Sequence, residues 1–488
     1  MIGLAHLGGP IACLGLALLL VAKTQRDRIA GLGFAAFGAC VLGAALAPNR
    51  PVELLGGSFA ALAIGLALAV LFRRLPWLLP LAALACVPAR VGVHVGHAST
   101  KLLLPLYIVI LGATILLAWD LVAGDRRVRE LRALAWPLAA YLAWTGVSIL
   151  WSKDVGEGAV ELLAFYVPFT LLAIAIARLP WSTLGLRALY VQVTAMAVGF
   201  AAVGFYQYDT RDIFQNPKVI NSNAYAPYFR VNSVFWDPSV YGRFLVVAMT
   251  PSLVLIVLGR SLRWSFVATA ALVVIWLGLL ISFSQSSFAA LLVVVIGAAF
   301  VVWRWRSLIA VVLAFAVLAG IAVAQPQIRR TLEHHTSKGL NSASSGRRDL
   351  VANGIRIAVA HPALGVGVGG FKRAYADRVH LNGKDPKKAA SHDTPVTVAA
   401  ETGLPGLVLF ALLLVAVFRQ AFRRAGQVGL VSGLALAAIF CHSLFYNAFF
   451  EDPMTWMLFG LVALASPLLV PVARTERPAV EPKEAVSV

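Results

Sequence analysis

Residues 265–303 read SFVATAALVVIWLGLLISFSQSSFAALLVVVIGAAFVVW, two apolar runs joined by a serine-rich turn. The stretch has no Lys, Arg, Asp or Glu, and each run approaches the length of about 20 residues that a helix needs to cross a bilayer. Of the 488 residues of the chain, 60% are hydrophobic and 13% are charged. Soluble domains are about 45–50% apolar and about 25% charged. The sequence therefore predicts an all-α polytopic membrane protein.

Similar apolar runs occur along most of the chain and predict roughly 15 transmembrane helices. They begin near Ile2, Ile29, Glu53, Pro76, Leu102, Ala133, Gly158, Arg187, Pro238, Ser265, Ser286, Ser307, Pro395, Val428 and Pro453. The run at Pro76 is the weakest, because it reaches Arg90 after few residues.

Basic residues fall in every second connection between these runs, and this alternation predicts the orientation of the chain, because cytoplasmic loops are rich in Lys and Arg. They are Lys23, Arg26, Arg28, Arg73, Arg74, Arg126, Arg127, Arg129, Arg132, Arg178, Arg187, Arg260, Arg263, Arg304, Arg306, Arg419, Arg423, Arg424, Arg474 and Arg477. The pattern places the C-terminus in the cytoplasm and, with about 15 spans, the N-terminus outside. Most of the net charge of +19 lies in these short turns, so no nucleic-acid-binding domain is predicted.

Two outer connections are long, one over residues 209–237 and one over residues 325–394. The second holds twelve Lys or Arg and five Asp or Glu, a net charge of +7. Within it, residues 347–360 have helical periodicity. The predicted divisions are N-terminal helices (1–75), a transmembrane core (76–324), the large loop (325–394), C-terminal helices (395–471) and a cytoplasmic tail (472–488).

Three further patterns have ordinary structural explanations. The match Gly365-x-Gly367-x-x-Gly370 lies in an outer loop without the strand of a dinucleotide site, and we interpret it as a tight turn. His94 and His97 have no carboxylate nearby to complete a metal site. The four cysteines lie in apolar segments and are expected to be small buried hydrophobic residues.

Ser391-His392-Asp393 ends the long polar loop, just before the apolar run at Pro395. This places the imidazole at a membrane surface, and His is the side chain best suited to accept a proton near neutral pH. Glu401 follows within about two helical turns of the start of that run. The alternative interpretation is that Asp393 caps the helix and His392 is its incidental neighbour.

Arg230, Arg243, Arg347 and Arg348 lie in or at the ends of the two outer connections. A guanidinium stays charged and holds phosphate oxygens with a fork of donors. Arg243 lies within the first turns of an apolar run, where a charge is costly unless it meets a partner. Two interpretations stay open for it, an ion pair with Asp237 and a phosphate ligand.

Several short motifs follow one another in a recognisable order. They are Leu150-Trp151-Ser152-Lys153-Asp154, Arg230-Val231-Asn232-Ser233 with Asp237-Pro238, Ser282-Phe283-Ser284-Gln285-Ser286-Ser287, Ser345-Gly346-Arg347, His361-Pro362-Ala363-Leu364-Gly365-Val366-Gly367 with Phe371, and His392-Asp393 with Glu401-Thr402-Gly403-Leu404-Pro405-Gly406. With these motifs in this order, the chain resembles the O-antigen ligase and Wzy-type polymerase superfamily of bacterial glycan-assembly enzymes. The resemblance covers residues 76–471. Two positions depart from the family pattern, which often has Asn at Asp393 and commonly Arg at Gln285.

The resemblance implies a glycosyltransferase-C-like core of about 12 spanning helices, preceded by about three extra ones over residues 1–75. It also implies a bacterial inner-membrane location, with the active site at the periplasmic face, and catalysis without metal or cofactor. The donor would be a glycan on undecaprenyl diphosphate. Because a departing diphosphate needs cationic stabilisation, the predicted diphosphate- or substrate-binding residues are Arg230, Arg243, Gln285, Arg347 and Arg348.

A sugar hydroxyl is a weak nucleophile and needs a base, so the predicted catalytic residues are His392 as base and Glu401, or Asp393, as its orienting partner. The expected outcome is one-step displacement with inversion. A ligase would use a lipid A-core sugar as acceptor, and a polymerase another lipid-linked glycan. The +7 loop favours a phosphorylated acceptor, hence a ligase, but it also suits two diphosphate-bearing substrates.

Two other classes stay open, a protein O-oligosaccharyltransferase and a non-enzymatic flippase or transporter of lipid-linked glycan. The expected partners are the lipid-linked donor, the glycan or lipid A-core acceptor and membrane lipids.

Overall fold

The structure, a computed structural model, describes residues 2–47, 51–95, 98–125, 127–214, 216–225, 228–258, 261–306, 308–309, 313, 347–380, 391–423 and 426–464. Side chains are described for all of these except residues 51–55, 92–95, 98–101, 225 and 347. Most of the described residues are helical, and one antiparallel hairpin joins strands β1 (Val91–Val95) and β2 (Ala98–Leu102).

The helices have the following bounds in chain order: α1 Ile2–Val21, α2 Gln25–Leu46, α3 Pro51–Arg74, α4 Leu78–Ala85, α5 Leu104–Val122, α6 Ala135–Ser148, α7 Val155–Glu161, α8 Val167–Arg178, α9 Thr183–Thr210, α10 Pro217–Tyr225, α11 Pro238–Leu258, α12 Leu262–Ser282, α13 Gln285–Trp303, α14 Arg347–Ala360, α15 Phe371–Arg378, α16 Thr394–Arg423, α17 Gln427–Ser443 and α18 Pro453–Val462. A π-helical turn, Leu162–Tyr166, joins α7 to α8.

Eleven helical segments among the described residues are long and apolar enough to cross a membrane, and α17 and α18 are shorter apolar helices. The chain is therefore a polytopic membrane protein, but the predicted number of about 15 full-length spans is not confirmed. The run at Pro76 forms only the eight-residue helix α4, followed by turns and the hairpin. Pro88 and Arg90 interrupt the apolar run there, so it is too short to form one spanning helix. The run at Ser307 lies largely outside the described residues.

Helices α3 and α5 nevertheless run parallel to each other. A Cβ on Gly65 would touch Leu111 and Ile115, and a Cβ on Gly112 would touch Leu68. Farther along both helices, Arg73 lies over the ring of Trp119, 4.3 Å from its centroid. Parallel neighbours need a connection that returns to the starting side, so α4 and the turns that follow it cross the bundle where one long helix was predicted. The hairpin folds back on itself, because its two ends pair at Val91 and Leu102.

Several connections meet in a cluster of charges at one end of the bundle, here termed the basic side. Arg178 contacts Glu130 at 2.6 Å and Asp125 at 2.7 Å, and Arg28 also reaches Glu130. Burial alone would raise the pKa of Asp125, but hydrogen bonds from Arg127 and the charge of Arg178 lower it to about 2. The α1–α2 and α5–α6 connections are thereby fixed to the end of α8.

The first helices pack tightly on the rest of the bundle. A Cβ on Gly15 would lie 2.4 Å from the backbone of Ala35, and a Cβ on Gly146 of α6 would lie 2.2 Å from Cys13. Small residues therefore let α1 approach both α2 and α6 closely. Cys13 is buried as predicted, but Cys40 is exposed, because it lies on the outward face of α2 and not in the α1 contact.

The direction of helix α16 shows which residues lie at the end of the bundle opposite the basic side. Near its C-terminus, Gln420 accepts a hydrogen bond from the backbone N–H of Ala133, close to the charged cluster. Its first residue, Thr394, therefore lies at the other end, termed the opposite side. Gly403, with φ of +69° and ψ of −170°, breaks the helix above that end, and Pro405 follows the break.

Candidate active site

The glycine motif forms the tight turn predicted for it, on the opposite side between α14 and α15. Gly365, Gly367 and Gly369 all have positive φ, +70°, +82° and +72°, a conformation that suits glycine. A Cβ on Gly367 would lie 2.3 Å from the Cα of Ser152. The turn is therefore in close backbone contact with its neighbours and lacks the βαβ setting of a dinucleotide site.

Three of the sequence motifs meet at this turn. Trp151 Nε1 donates to the carbonyl of Leu364 at 3.0 Å, and Ser152 Oγ donates to the carbonyl of Val368 at 2.7 Å. From the other side, the N–H of Gly367 donates to the backbone carbonyl of Glu401 at 2.8 Å. These bonds join the α6–α7 connection, the glycine turn and the kink of α16 into one rigid unit.

The side chain of Glu401 supports the same unit. It is 7% exposed, and Oε1 accepts a hydrogen bond from the N–H of Phe371 at 3.2 Å. The carboxyl also borders a cavity of about 40 Å³ shared with Glu161, Glu451 and Asn447, which is enough volume for ordered water. These contacts direct the carboxyl of Glu401 to the glycine turn. They do not test its predicted role in orienting His392, which stays a prediction.

Arg230 and the serine motif meet at a second junction on the opposite side. Arg230 Nε donates to the carbonyl of Ser282 at 3.2 Å, and its backbone N–H donates to Asn223 Oδ1 at 3.1 Å. At the start of α13, the hydroxyls of Ser284 and Ser287 lie 2.8 Å apart. The guanidinium of Arg230 is thus anchored beside the N-terminal end of α13.

Arg243 is buried, and its carboxylate partner is Asp452. Its Nε lies 2.7 Å from Asp452 Oδ2, and both side chains are 2% exposed. Asp237, the partner considered from the sequence, instead accepts the N–H of Ser239 at 2.7 Å. Within the described residues, Arg243 Nε, Arg243 Nη1 and Asp452 Oδ2 are buried and make no hydrogen bond, so the two side chains form a close ion pair and Nη1 keeps an unused donor.

His392 lies at the start of α16 in a left-handed backbone conformation, with φ of +56°. Asp393 Oδ1 accepts the N–H of Val396 at 2.9 Å, so the capping role considered for Asp393 is confirmed. The imidazole of His392 makes an edge-to-face contact with the ring of Tyr446, with centroids 6.4 Å apart. His392 is therefore held between the helix cap and an aromatic ring.

Tyr446 lies between His392 and the start of α11, the helix that carries Arg243. Its ring lies 5.8 Å from that of His442, and His442 Nε2 lies 3.1 Å from the carbonyl oxygen of Ser239. Burial raises the pKa of the Tyr446 hydroxyl well above its usual range, the charge of Asp237 adds to this rise, and Arg243 opposes it. The structure thus brings His392 and Arg243 to one region, at the start of α11.

The remaining predicted site residues lie as follows. Gln285 is exposed as the first residue of α13, and Arg348 is exposed in the first turn of α14. Arg347 begins α14, but its side chain lies outside the described residues, as does His97. Among the residues that the structure describes, no group of three or more His, Cys, Asp or Glu could hold a metal ion.

Tyr446, Glu451 and Asp452 lie in the short connection between α17 and α18, which sequence reasoning passed over. Burial raises the pKa of Glu451 to about 7, although the charges of Arg90 and Arg243 lower it. Two adjacent acids directly before the apolar run at Pro453 were the available signal, because charges at membrane depth need partners.

Comparison with known proteins adds a family assignment for part of this site. Residues 270–411 match the family model described as O-antigen ligase. The match includes most of α12, all of α13, the glycine turn, His392 and Glu401. No curated protein matches the chain.

Proposed function

Because residues 270–411 form an O-antigen ligase family domain, the chain is a glycosyltransferase that uses a lipid-linked glycan donor, and we propose that it performs metal-independent, inverting transfer. In this proposal the glycan moves from undecaprenyl diphosphate to a sugar hydroxyl on the periplasmic side of the bacterial inner membrane. The observation that carries the proposal lies on the opposite side of the bundle. Arg230 contacts Ser282 of the serine motif, and Tyr446 and His442 link His392 to the start of α11, the helix that carries Arg243.

The charge distribution supports the periplasmic location of this site. Arg28, Arg127 and Arg178 meet in the cluster on the basic side, and positively charged connections favour the cytoplasm. The junction that contains Arg230 and Arg243 lies at the other end of the bundle. A donor whose glycan faces the periplasm would therefore present its diphosphate at these arginines.

Two arginines would stabilise the diphosphate as it leaves. Arg243 has an unused buried donor, and Arg230 is anchored at Ser282, next to the start of α13. A hydrogen bond to a charged group contributes roughly 1.5–3 kcal/mol, and free N–H groups at a helix N-terminus add to the attraction for phosphate. In this arrangement Arg230 supplies the cation that many family members carry at the position of Gln285.

His392 would accept the proton of the attacking hydroxyl. It lies at the membrane boundary on the proposed periplasmic side, and His ionises in the range that this step requires. Asp393 is already bonded to the N–H of Val396, so its part is to fix the helix start. Glu401 would act indirectly, because it holds the glycine turn beside the same helix start.

Arg347 and Arg348, at the start of α14, are proposed to bind the acceptor. Arginines on the large loop, of which Arg348 is exposed, fit an acceptor that carries phosphate groups. The same feature suits a lipid A-core sugar, as in a ligase, and a second diphosphate-linked glycan, as in a polymerase.

Label transfer by the purified protein tests the proposal. Protein in lipid nanodiscs is mixed with undecaprenyl-diphosphate glycan labelled in the sugar, together with a lipid A-core, a second lipid-linked glycan or a peptide acceptor. We expect the label to move to one of the two glycan acceptors, and excess EDTA to leave the rate unchanged.

Three other outcomes of this assay would indicate a different function or mechanism. Label on the peptide would identify a protein O-oligosaccharyltransferase. Label that stays on the lipid with every acceptor, while the protein moves the lipid-linked glycan across sealed vesicles, would identify a flippase. Loss of transfer in EDTA that added Mg²⁺ restores would contradict the arginine mechanism.

A further inference from the structure

Tyr446 lies in the connection between α17 and α18, outside the residues that match the family model. Its ring lies between two histidines, with centroid distances of 6.4 Å to His392 and 5.8 Å to His442. His442 is in turn fixed at 3.1 Å from the carbonyl oxygen of Ser239, at the start of α11. The connection therefore spans the distance between the proposed base and the helix that carries Arg243.

The contact with Tyr446 is of the edge-to-face type, with an interplanar angle of 62° to His392. Edge-to-face aromatic pairs are stabilised by about 0.5–1.5 kcal/mol beyond the area they bury. The backbone of His392 is held as well, because Ser391 Oγ donates to the carbonyl of Asp393 at 2.6 Å. With the backbone fixed, the ring of Tyr446 restricts the rotation of the imidazole.

We infer that Tyr446 is a positioning residue that sets the orientation of the His392 imidazole through its aromatic ring. The inference rests on the proposed function, in which His392 is the base. A base must lie within hydrogen-bond reach of the proton it takes, and a displacement of about 1 Å can cost about 100-fold in rate. The ring would perform this role, and the hydroxyl is not required for it.

Other ionisable groups face the same region and remain in every variant. Asp237, Glu451, Arg243 and Arg90 act on Tyr446 electrostatically. Asp393 and His442 lie beside the two imidazole contacts, and Asp452 pairs with Arg243. Because these groups are the same in all variants, a difference in pH profile between Tyr446→Leu and Tyr446→Phe can be assigned to the aromatic ring.

The test compares Tyr446→Leu, Tyr446→Phe and the neighbouring control Phe445→Leu, whose side chain is 44% exposed. Each variant is assayed for label transfer against pH and for thermal unfolding. For Tyr446→Leu we expect a fall in kcat of about 10- to 100-fold. The acid limb of its pH profile should also shift, because the protonated and neutral imidazole interact differently with the aromatic ring that is removed.

Tyr446→Phe should retain most of the activity and the wild-type acid limb, and Phe445→Leu should behave as wild type. A Tyr446→Leu profile that keeps the wild-type acid limb would overturn the inference, and lower thermal stability alone would then indicate a structural role. Tyr446→Phe as impaired as Tyr446→Leu would also overturn it, because the hydroxyl would then be the active group. A wild-type protein that transfers no label contradicts the proposed function itself.

Discussion

His392→Ala should lower kcat for glycan transfer by about 10²- to 10⁴-fold, the range that general base catalysis supplies. The acceptor hydroxyl would then lose its proton without a positioned base, while the arginines still bind the donor. We therefore expect the donor KM to change little. The measurement is the initial rate of label transfer at saturating donor, with thermal unfolding recorded for the same samples.

The left-handed backbone at His392 calls for a matched control. His380 is an exposed histidine with φ of +52°, so His380→Ala introduces the same backbone strain outside the proposed site. His392→Asn is a second variant, because Asn tolerates this conformation better than Ala. Both His392 variants should be folded and show the reduced kcat, and His380→Ala should transfer label at the wild-type rate. Transfer at the wild-type rate by His392→Asn would remove His392 as the base.

Asp452→Ala should destabilise the folded protein by about 3–5 kcal/mol, because it leaves the buried charge of Arg243 without its partner. Both side chains are 2% exposed, and the Nε–Oδ2 distance is 2.7 Å. Asp377→Ala is the matched control, since Asp377 is 50% exposed and lies 3.5 Å from Lys153. Exposed pairs of this kind contribute about 0–1 kcal/mol. Thermal or denaturant unfolding in the same detergent would measure both effects.

The double variant Arg243→Met with Asp452→Leu separates stability from catalysis. Replacing a buried ion pair with apolar residues of similar volume is often neutral or stabilising. Asp452 also caps α18 by accepting the N–H of Met454 at 2.9 Å, so the variant should lose only about 1 kcal/mol, the cost of that cap. Transfer should still be lost, because the proposed diphosphate ligand Arg243 is absent. An active double variant would show that Arg243 serves only to neutralise Asp452, and an Asp452→Ala protein as stable as the wild type would contradict the buried pair.

Apolar run length predicted the spanning helices well where a run was uninterrupted, as in α12 and α13. It failed at Pro76, because run length is counted from side-chain hydropathy, whereas the crossing there combines the short helix α4 with the turns that follow it. The parallel packing of α3 and α5 that makes this crossing necessary depends on contacts between Gly65 and Leu111. No local pattern in the sequence contains that information.

The candidate site was predictable where a single residue carried the signal. His392, Arg230 and Arg243 stood out because ionisable groups beside apolar runs need a partner or a role. Tyr446 and Asp452 did not, since a tyrosine at a membrane boundary is common and the partner of Arg243 lies far along the chain. The interpretation of Arg243 as paired with Asp237 relied on sequence proximity, and the fold instead brings Asp452 to it.

The anomeric configuration of the product tests the central claim most directly, namely that a sugar hydroxyl activated by His392 displaces the lipid diphosphate in one step. The measurement is the NMR coupling constant of the newly formed linkage, compared with that of the sugar attached to undecaprenyl diphosphate in the donor. We predict the opposite configuration in the product. A retained configuration would require a second displacement through an enzyme-bound sugar and would contradict the claim.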